Sequence, residues 1–186
     1  MIMQVIESSP DPDQRVRVLL FPDKVIIYTM PLDLNYDIYN GVSIITVKAK
    51  RDTSKIKTTD YHFCLNAYQL AQEHECFDAI LMDKDQVVFE GSSSNFFWIK
   101  KNSLFKRETD VLPRVTRNTI VTPPYAVKYD ELNVLDFDRL SELFSENKAS
   151  VIVLVVKVNN SITCNGVPRL ITKELMKLYD SWAFDI

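Results

Sequence analysis

Three short stretches between positions 57 and 117 hold the side chains best suited to chemistry. Lys57 stands in Ile56-Lys57-Thr58-Thr59-Asp60-Tyr61, just ahead of an amphipathic run. A lysine amine is a nucleophile only when neutral, and burial or a neighbouring positive charge supplies that form. Glu90 ends an apolar strand and opens Glu90-Gly91-Ser92-Ser93-Ser94-Asn95. A strand-end carboxylate followed by glycine and small hydroxyl residues suits a close approach to a ligand. Pro113-Arg114-Val115-Thr116-Arg117 heads a candidate helix, and a helix N-terminus can bind phosphate. Each stretch also has a plain reading. A lone lysine is usually a solvated surface residue, a glutamate beside glycine usually marks a turn, and Ser-Ser-Ser is most often a loop.

A metal reading is weaker. His62, Cys64, His74 and Cys76 form two His-x-Cys pairs, all possible zinc ligands. Tyr61 to Glu75 reads as a helix, with Phe63, Ala67, Leu70 and His74 at helical spacing. Residues two apart on a helix diverge, so neither pair shares an ion easily. Core or surface packing is the better account of all four.

The elements that must position these residues alternate between β and α. Ser8 to Gln14 is turn-rich. Arg15–Phe21 and Lys24–Met30 read as a hairpin around Pro22-Asp23. After a connector at Pro31–Gly41, Val42–Lys48 is a strand, and polar, basic Arg51–Lys57 leads into a helix over Thr59–Glu75. Strands follow at Asp78–Met82, Val87–Glu90, Asn95–Lys100 and Leu104–Lys106. Val115–Val121 starts a helix that Pro123-Pro124 ends, and Phe137–Ser145 has helical apolar spacing. Val151–Val158 is the strongest strand, Ile162–Cys164 a short extended piece after a turn at Asn159-Asn160. Arg169–Trp182 is a final helix presenting Leu170, Leu175, Leu178 and Trp182. The pattern predicts an α/β domain with a mixed sheet, preceded by a small β-rich segment.

Composition bounds the function classes. The chain has 186 residues, 46% hydrophobic, with 22 Lys+Arg against 25 Asp+Glu and a net charge of −3. That length can bury a core without staples. Mixed charge argues against a nucleic-acid surface, and 11% aromatic content argues against disorder. Cys64, Cys76 and Cys164 are too few and too odd for a disulfide framework. No apolar stretch approaches a membrane span and no signal peptide is visible at the N-terminus, so a cytoplasmic setting is expected. Only three glycines occur, so each is expected to answer a specific backbone need.

The order Lys-Thr-x-x-Tyr, Glu-Gly-x-x-Ser-Asn-Phe-Phe and Leu-Pro-x-Val-Thr-Arg resembles the class-IV aminotransferases. That pyridoxal-phosphate family includes branched-chain and D-amino-acid aminotransferases and aminodeoxychorismate lyase. The resemblance covers Val42 to Arg117 well and Val151 to Leu178 more loosely. It implies residues 51–186 as a pyridoxal-phosphate-binding large domain of the D-amino-acid-aminotransferase-like fold, with residues 1–50 a β-rich remnant of the small domain. Lys57 would form the Schiff base and shuttle the proton at the substrate Cα, and Glu90 would keep the pyridine nitrogen protonated. Tyr61 would hydrogen-bond the phenolic oxygen. Ser94 and Asn95 would add cofactor contacts, and Val115 and Thr116 would hold the phosphate. Substrates would be an amino acid and a 2-oxo acid, and the chain would pair as a homodimer or with another subunit.

Departures accompany the matches. The chain begins late relative to the family, without most of the N-terminal domain and an arginine that anchors the phosphate. Arg114 replaces the glycine expected before Val115. A late phosphate-binding hydroxyl falls near Lys148-Ala149-Ser150, and Pro123-Pro124 shortens the helix after Thr116-Arg117. Three readings stay open: an aminotransferase, an aminodeoxychorismate-lyase-like enzyme, and a degenerate homologue acting as a non-catalytic interaction domain.

Overall fold

The computed structural model describes residues 1–33, 35–50, 57, 60–112, 125–147, 151–164 and 170–184, excluding the side chains of 151 and 182–184. The chain divides into two compact units, Met1–Asn35 and Tyr36–Ile186. The first holds helix α1 (Ile2–Glu7) and an antiparallel hairpin of β1 (Gln14–Leu20) and β2 (Val25–Pro31). The expected hairpin is thus present, one residue from its expected bounds. Phe21 N–H donates to the Lys24 carbonyl at 2.8 Å, closing the Pro22-Asp23 turn. Gln14 Nε2 reaches the carbonyls of Ile6 (3.1 Å) and Asp11 (2.7 Å), tying α1 and the following turn to β1.

The second unit is built on one mixed sheet. Its strands among the described residues are β3 (Val42–Lys48), β4 (Asp78–Met82), β5 (Val88–Gly91), β6 (Asn95–Lys100), β7 (Ser103–Lys106), β8 (Val127–Tyr129), β9 (Glu142–Asn147), β10 (Val151–Val158) and β11 (Ser161–Ile162). They lie in the order β5-β4-β3-β10-β9-β6-β7-β8, with β11 on β10. The β3–β4, β3–β10 and β7–β8 pairs are parallel and the rest antiparallel. β3 therefore sits inside this sheet, between β4 and β10.

That order forces the sheet to curl. β5 and β6 stand five strand spacings apart, roughly 24 Å in a flat sheet. The chain from Gly91 to Asn95 spans at most about 15 Å. Only a sheet rolled until its β5 edge meets β6 satisfies both. The inside of the roll is filled by Ile44, Ile80, Val88, Phe96, Trp98, Leu143, Val153 and Val155, contributed by β3, β4, β5, β6, β9 and β10.

Among the described residues, two helices cover the outside. α2 (His62–Glu73) makes the β3–β4 crossover and lays Cys64, Ala67 and Ala71 on Ala79 and Leu81. These small residues, at spacings of three and four, give the helix a thin stripe and a close approach. The helix stops where Glu75 takes a left-handed φ of 55° and Cys76 N–H donates back to the Ala71 carbonyl at 2.8 Å. α3 (Leu170–Phe184) packs Leu175, Ile171, Met176 and Tyr179 over Phe97, Ile99, Phe144 and Ile152. Its N-terminus is capped by the buried Glu142 carboxylate of β9, which accepts from Ile171 N–H (3.3 Å) and Thr172 N–H (2.8 Å). A carboxylate there satisfies free donors and faces the positive end of the helix dipole.

Several expectations need correction. Phe137–Ser145 is not a helix: a 3₁₀ segment, Val134–Arg139, gives way at Leu140 to β9. Leu143 faces the inside of the roll and Phe144 the layer under α3, and Glu142, Ser145 and Glu146 are buried as well, so both faces of β9 are covered. Such a doubly buried strand has no two-residue alternation to show. On α3 the buried stripe runs through Thr172 and Leu175, while Leu170 and Leu178 are exposed. On α2, Leu70 is exposed and Cys64 and Ala71 take the core positions. The α1 helix, the Tyr36–Asn40 3₁₀ turn and β8 had no signal strong enough to predict. The Val115–Val121 helix, Pro123-Pro124 and Lys148-Ala149-Ser150 lie outside the described residues.

Phe144 stacks on Phe97 at 5.2 Å between centroids, 2° from parallel, under α3. Phe144→Ala is expected to cost about 3–5 kcal/mol, read as a lower urea midpoint with an unchanged denaturant slope.

Candidate functional site

The turn that closes the roll is held by one carboxylate. Asp78, first residue of β4 and fully buried, accepts hydrogen bonds from all three serines of the Gly91–Ser94 turn. Ser94 Oγ donates at 2.7 Å and Ser93 Oγ at 3.2 Å, with Ser92 Oγ closer still. The adjacent Ala79 N–H adds a fourth donor at 2.7 Å. Backbone bonds reinforce the turn: Gly91 N–H to the Ser94 carbonyl (2.8 Å) and Ser92 N–H to the Ala79 carbonyl (2.9 Å). Gly91 is required by crowding. A Cβ there would collide with Ser94 Oγ and sit 2.8 Å from Asp78 Oδ2 and 3.0 Å from the Phe96 ring.

This turn sets the two residues that flank it. Glu90, 1% exposed, accepts the Leu112 N–H at Oε2 (3.1 Å). Asn95, also buried, donates from Nδ2 to the Leu112 carbonyl at 3.4 Å. The Asn95 Oδ1 is buried without a hydrogen-bond partner among the described residues. Leu112 is thus gripped on both sides of its Cα, immediately before the Pro113-Arg114-Val115-Thr116 stretch.

The root of the lysine-bearing arm lies alongside. Lys50, two residues past β3, pairs with Asp110 at 3.2 Å and lies over the Phe89 ring at 5.1 Å. Phe89 is the neighbour of Glu90, and Asp110 is two residues before Leu112. Lys50 and Leu112, the last described residues before the stretches that lead to Lys57 and to Val115, therefore both lie beside the Phe89-Glu90 end of β5. Lys57 itself is exposed. Tyr61 is the N-terminal boundary residue of α2 and 41% exposed. Val115 and Thr116 lie outside the described residues. The expected site residues brought together are Glu90, Ser94 and Asn95, through Asp78 and Leu112.

Asp78 was missed from sequence. The usable signal was three consecutive hydroxyls after a glycine, which need an acceptor if buried. The cysteines are poor nucleophile candidates. Cys64 and Cys164 are buried, and burial pushes the Cys76 thiol up, with Lys157 opposing and Glu75 adding to the rise. The α2 helix turns Cys64 inward and His62 outward, so that His-x-Cys pair diverges as its spacing predicted.

A rolled mixed sheet with outer helices and a buried glutamate at a tight serine turn defines a narrow class of fold and site. The family model for amino-transferase class IV matches residues 1–158, and the chain belongs to that family. D-alanine aminotransferase of Bacillus licheniformis is 28% identical over 160 residues, covering 82% of this chain and 56% of the relative. The crystal structure of a putative branched-chain amino acid aminotransferase from Thermotoga maritima aligns with a TM-score of 0.76 at 24% identity. It covers 93% of this chain and 66% of that one. The branched-chain aminotransferase of Thermobaculum terrenum, solved in its PLP form, gives 0.76 at 18% identity over 87% and 57% of the two chains. The fold is the mixed α/β fold expected. The chain spans between 28% and 67% of the length of the curated relatives it matches.

Asp78→Ala strands three hydroxyl donors, and a loss of about 3 kcal/mol is expected in chemical denaturation. Gly91→Ala should cost about 1–3 kcal/mol by overpacking, and Asp78→Ala in the same chain should relieve part of that, a coupling read from the double-mutant cycle.

Proposed function

We propose that this chain carries the cofactor-binding part of a pyridoxal-phosphate-dependent class IV aminotransferase, moving an amino group between an amino acid and a 2-oxo acid. The observation that carries the reading is the shared root of three elements at one end of β5. Glu90 takes the Leu112 N–H, and the Lys50–Asp110 pair holds the residue that follows β3 beside the same loop, which supports a reading in which Lys57 faces Glu90. The residues present fit such a group. A buried carboxylate suits a pyridine N–H, and the unpartnered Asn95 Oδ1 supplies a further acceptor.

When bound, pyridoxal phosphate supplies a sink for electrons released at the substrate Cα. Lys57 Nζ provides the amine for covalent attachment and then takes and returns the proton at that Cα. Glu90 holds the proton on the ring nitrogen, and Tyr61 Oη hydrogen-bonds the phenolic oxygen. Ser94 contributes by keeping the turn locked through Asp78, and Asn95 by its free oxygen. The N–H groups of Val115 and Thr116, with the Thr116 hydroxyl, would hold the phosphate. In this reading the cofactor belongs to the Tyr36–Ile186 unit, whose sheet includes β3, and Met1–Asn35 belongs to the smaller domain. The assembly is a homodimer, or a pair with another subunit, in the cytoplasm. Three cysteines, too few and too odd in number for a disulfide framework, suit a reducing compartment, and among the described residues no helix is long and apolar enough to cross a membrane.

The test is the absorbance of the purified protein with added pyridoxal phosphate. Wild type is expected to develop a visible band that borohydride bleaches as it fixes the cofactor onto Lys57, and Lys57→Ala to show none. Glu90→Gln should keep the attachment yet lose at least about a hundredfold in transamination. A folded wild type without the band would turn the reading toward a non-catalytic interaction domain.

A further inference from the structure

Arg107 is a buried cation that the proposed chemistry does not use. It follows β7, and its side chain is 8% exposed. Its Nη1 donates to the Val88 carbonyl of β5 at 3.3 Å, and its Nε donates to the Thr109 carbonyl at 2.9 Å. Its Nη2 lies 3.1 Å from Glu131 and 3.7 Å from Asp110, and the guanidinium stacks over Phe89 at 4.7 Å. Val88 N–H donates to the Leu132 carbonyl at 2.8 Å. Both backbone polar groups of the residue two before Glu90 are therefore fastened, one of them by Arg107.

A guanidinium presents several donors in a rigid fork. Here the fork bridges two structures that must be in register for one hydrogen bond. The first is β5, which carries the Glu90 carboxylate. The second is the loop from Arg107 to Leu112, which delivers the N–H that the carboxylate accepts. The loop turns back at Asp110, which adopts a left-handed φ of 58°. For a non-glycine residue that conformation is uphill and needs outside support. Arg107 supplies it at Thr109 O and at the Asp110 carboxylate.

We propose that Arg107 is a positioning residue for Glu90, clamping the edge of β5 to the Thr109–Leu112 turn so that the carboxylate meets the Leu112 N–H in one orientation. Its consequence for a cofactor ring nitrogen rests on the aminotransferase reading; the positioning itself does not. Arg107 bonds the carbonyls of Val88 and Thr109 and pairs with Asp110 and Glu131.

The experiment uses the full chain as wild type, Arg107→Gln, Arg107→Lys and Glu90→Gln. Amide hydrogen exchange is followed by NMR at Leu112, with Ala71 of α2 as the folding control. The absorbance of added pyridoxal phosphate is then titrated with pH. Arg107→Gln is expected to speed Leu112 exchange at least tenfold with Ala71 unchanged, and to move the pH midpoint of the cofactor band in the same direction as Glu90→Gln. Arg107→Lys keeps the charge and loses the fork, so a smaller rise of about threefold or more is expected; it also serves if the glutamine variant does not fold. Leu112 exchange unchanged in the folded arginine variants overturns the proposal. So does a band midpoint that stays at the wild-type value in Arg107→Gln while Glu90→Gln moves it. If Leu112 exchange responds and wild type forms no band, the positioning stands and the aminotransferase reading fails.

Discussion

The roll of the sheet rests on a carboxylate placed where two distant strands must meet. β5 and β6 are consecutive in the chain and five places apart in the sheet, so the turn between them carries the closure of the whole unit. A turn of three serines has little apolar surface to hold it by packing. Its hydroxyls need an acceptor out of water, and Asp78 at the root of β4 receives all three. The exchange runs both ways, because a buried carboxylate is costly unless several donors surround it. Hydroxyls rather than a cation do the compensating, which keeps the turn small enough for Gly91 to fit against Phe96.

From that fixed turn the site is assembled outward. Glu90 and Asn95 stand at its two ends, on strands that face different neighbours, and both reach Leu112. Lys50 and Arg107 then gather on Phe89 and Asp110, each over the ring and each paired with the carboxylate. Lys50–Asp110 is largely exposed, and such pairs contribute little to stability. Its value lies in where it brings the chain, beside the residue next to Glu90.

Strands announced by unbroken apolar runs were legible in the sequence. Val42–Lys48, Asp78–Met82, Asn95–Lys100 and Val151–Val158 have in the structure the bounds that pattern predicts. β9 was not legible, because Phe137, Leu140 and Phe144 sit at helical spacing by coincidence, the first two serving the core inside the roll and Phe144 the layer under α3. Glu90 and Asn95 could be picked out by their place in a motif. Asp78 and Arg107 could not, because the serines, Val88 and Glu131 that they hold lie 14 to 24 residues away and such contacts leave no local period. Glycine scarcity was legible only in part. Gly41, with φ of 113°, and crowded Gly91 meet specific needs. Elsewhere the left-handed positions fall to Glu75, Gln86, Lys101, Asn102, Asp110, Asn159, Asn160 and Cys164. Asn159 shows how one is compensated, its amide spanning Thr46 N–H (2.9 Å) and Thr46 Oγ1 (2.7 Å) of β3.

The double grip on Leu112 has a geometric corollary. The N–H belongs to the peptide unit before its Cα and the carbonyl to the unit after it, so the two bonds restrain two torsions independently. One is referred to β5 through Glu90 and the other to β6 through Asn95. Proline at 113 narrows the second torsion further. The heading on which the backbone departs is thereby an average of two strands rather than a property of either, and a small change in how far the roll is wound would swing that heading like a gnomon's shadow.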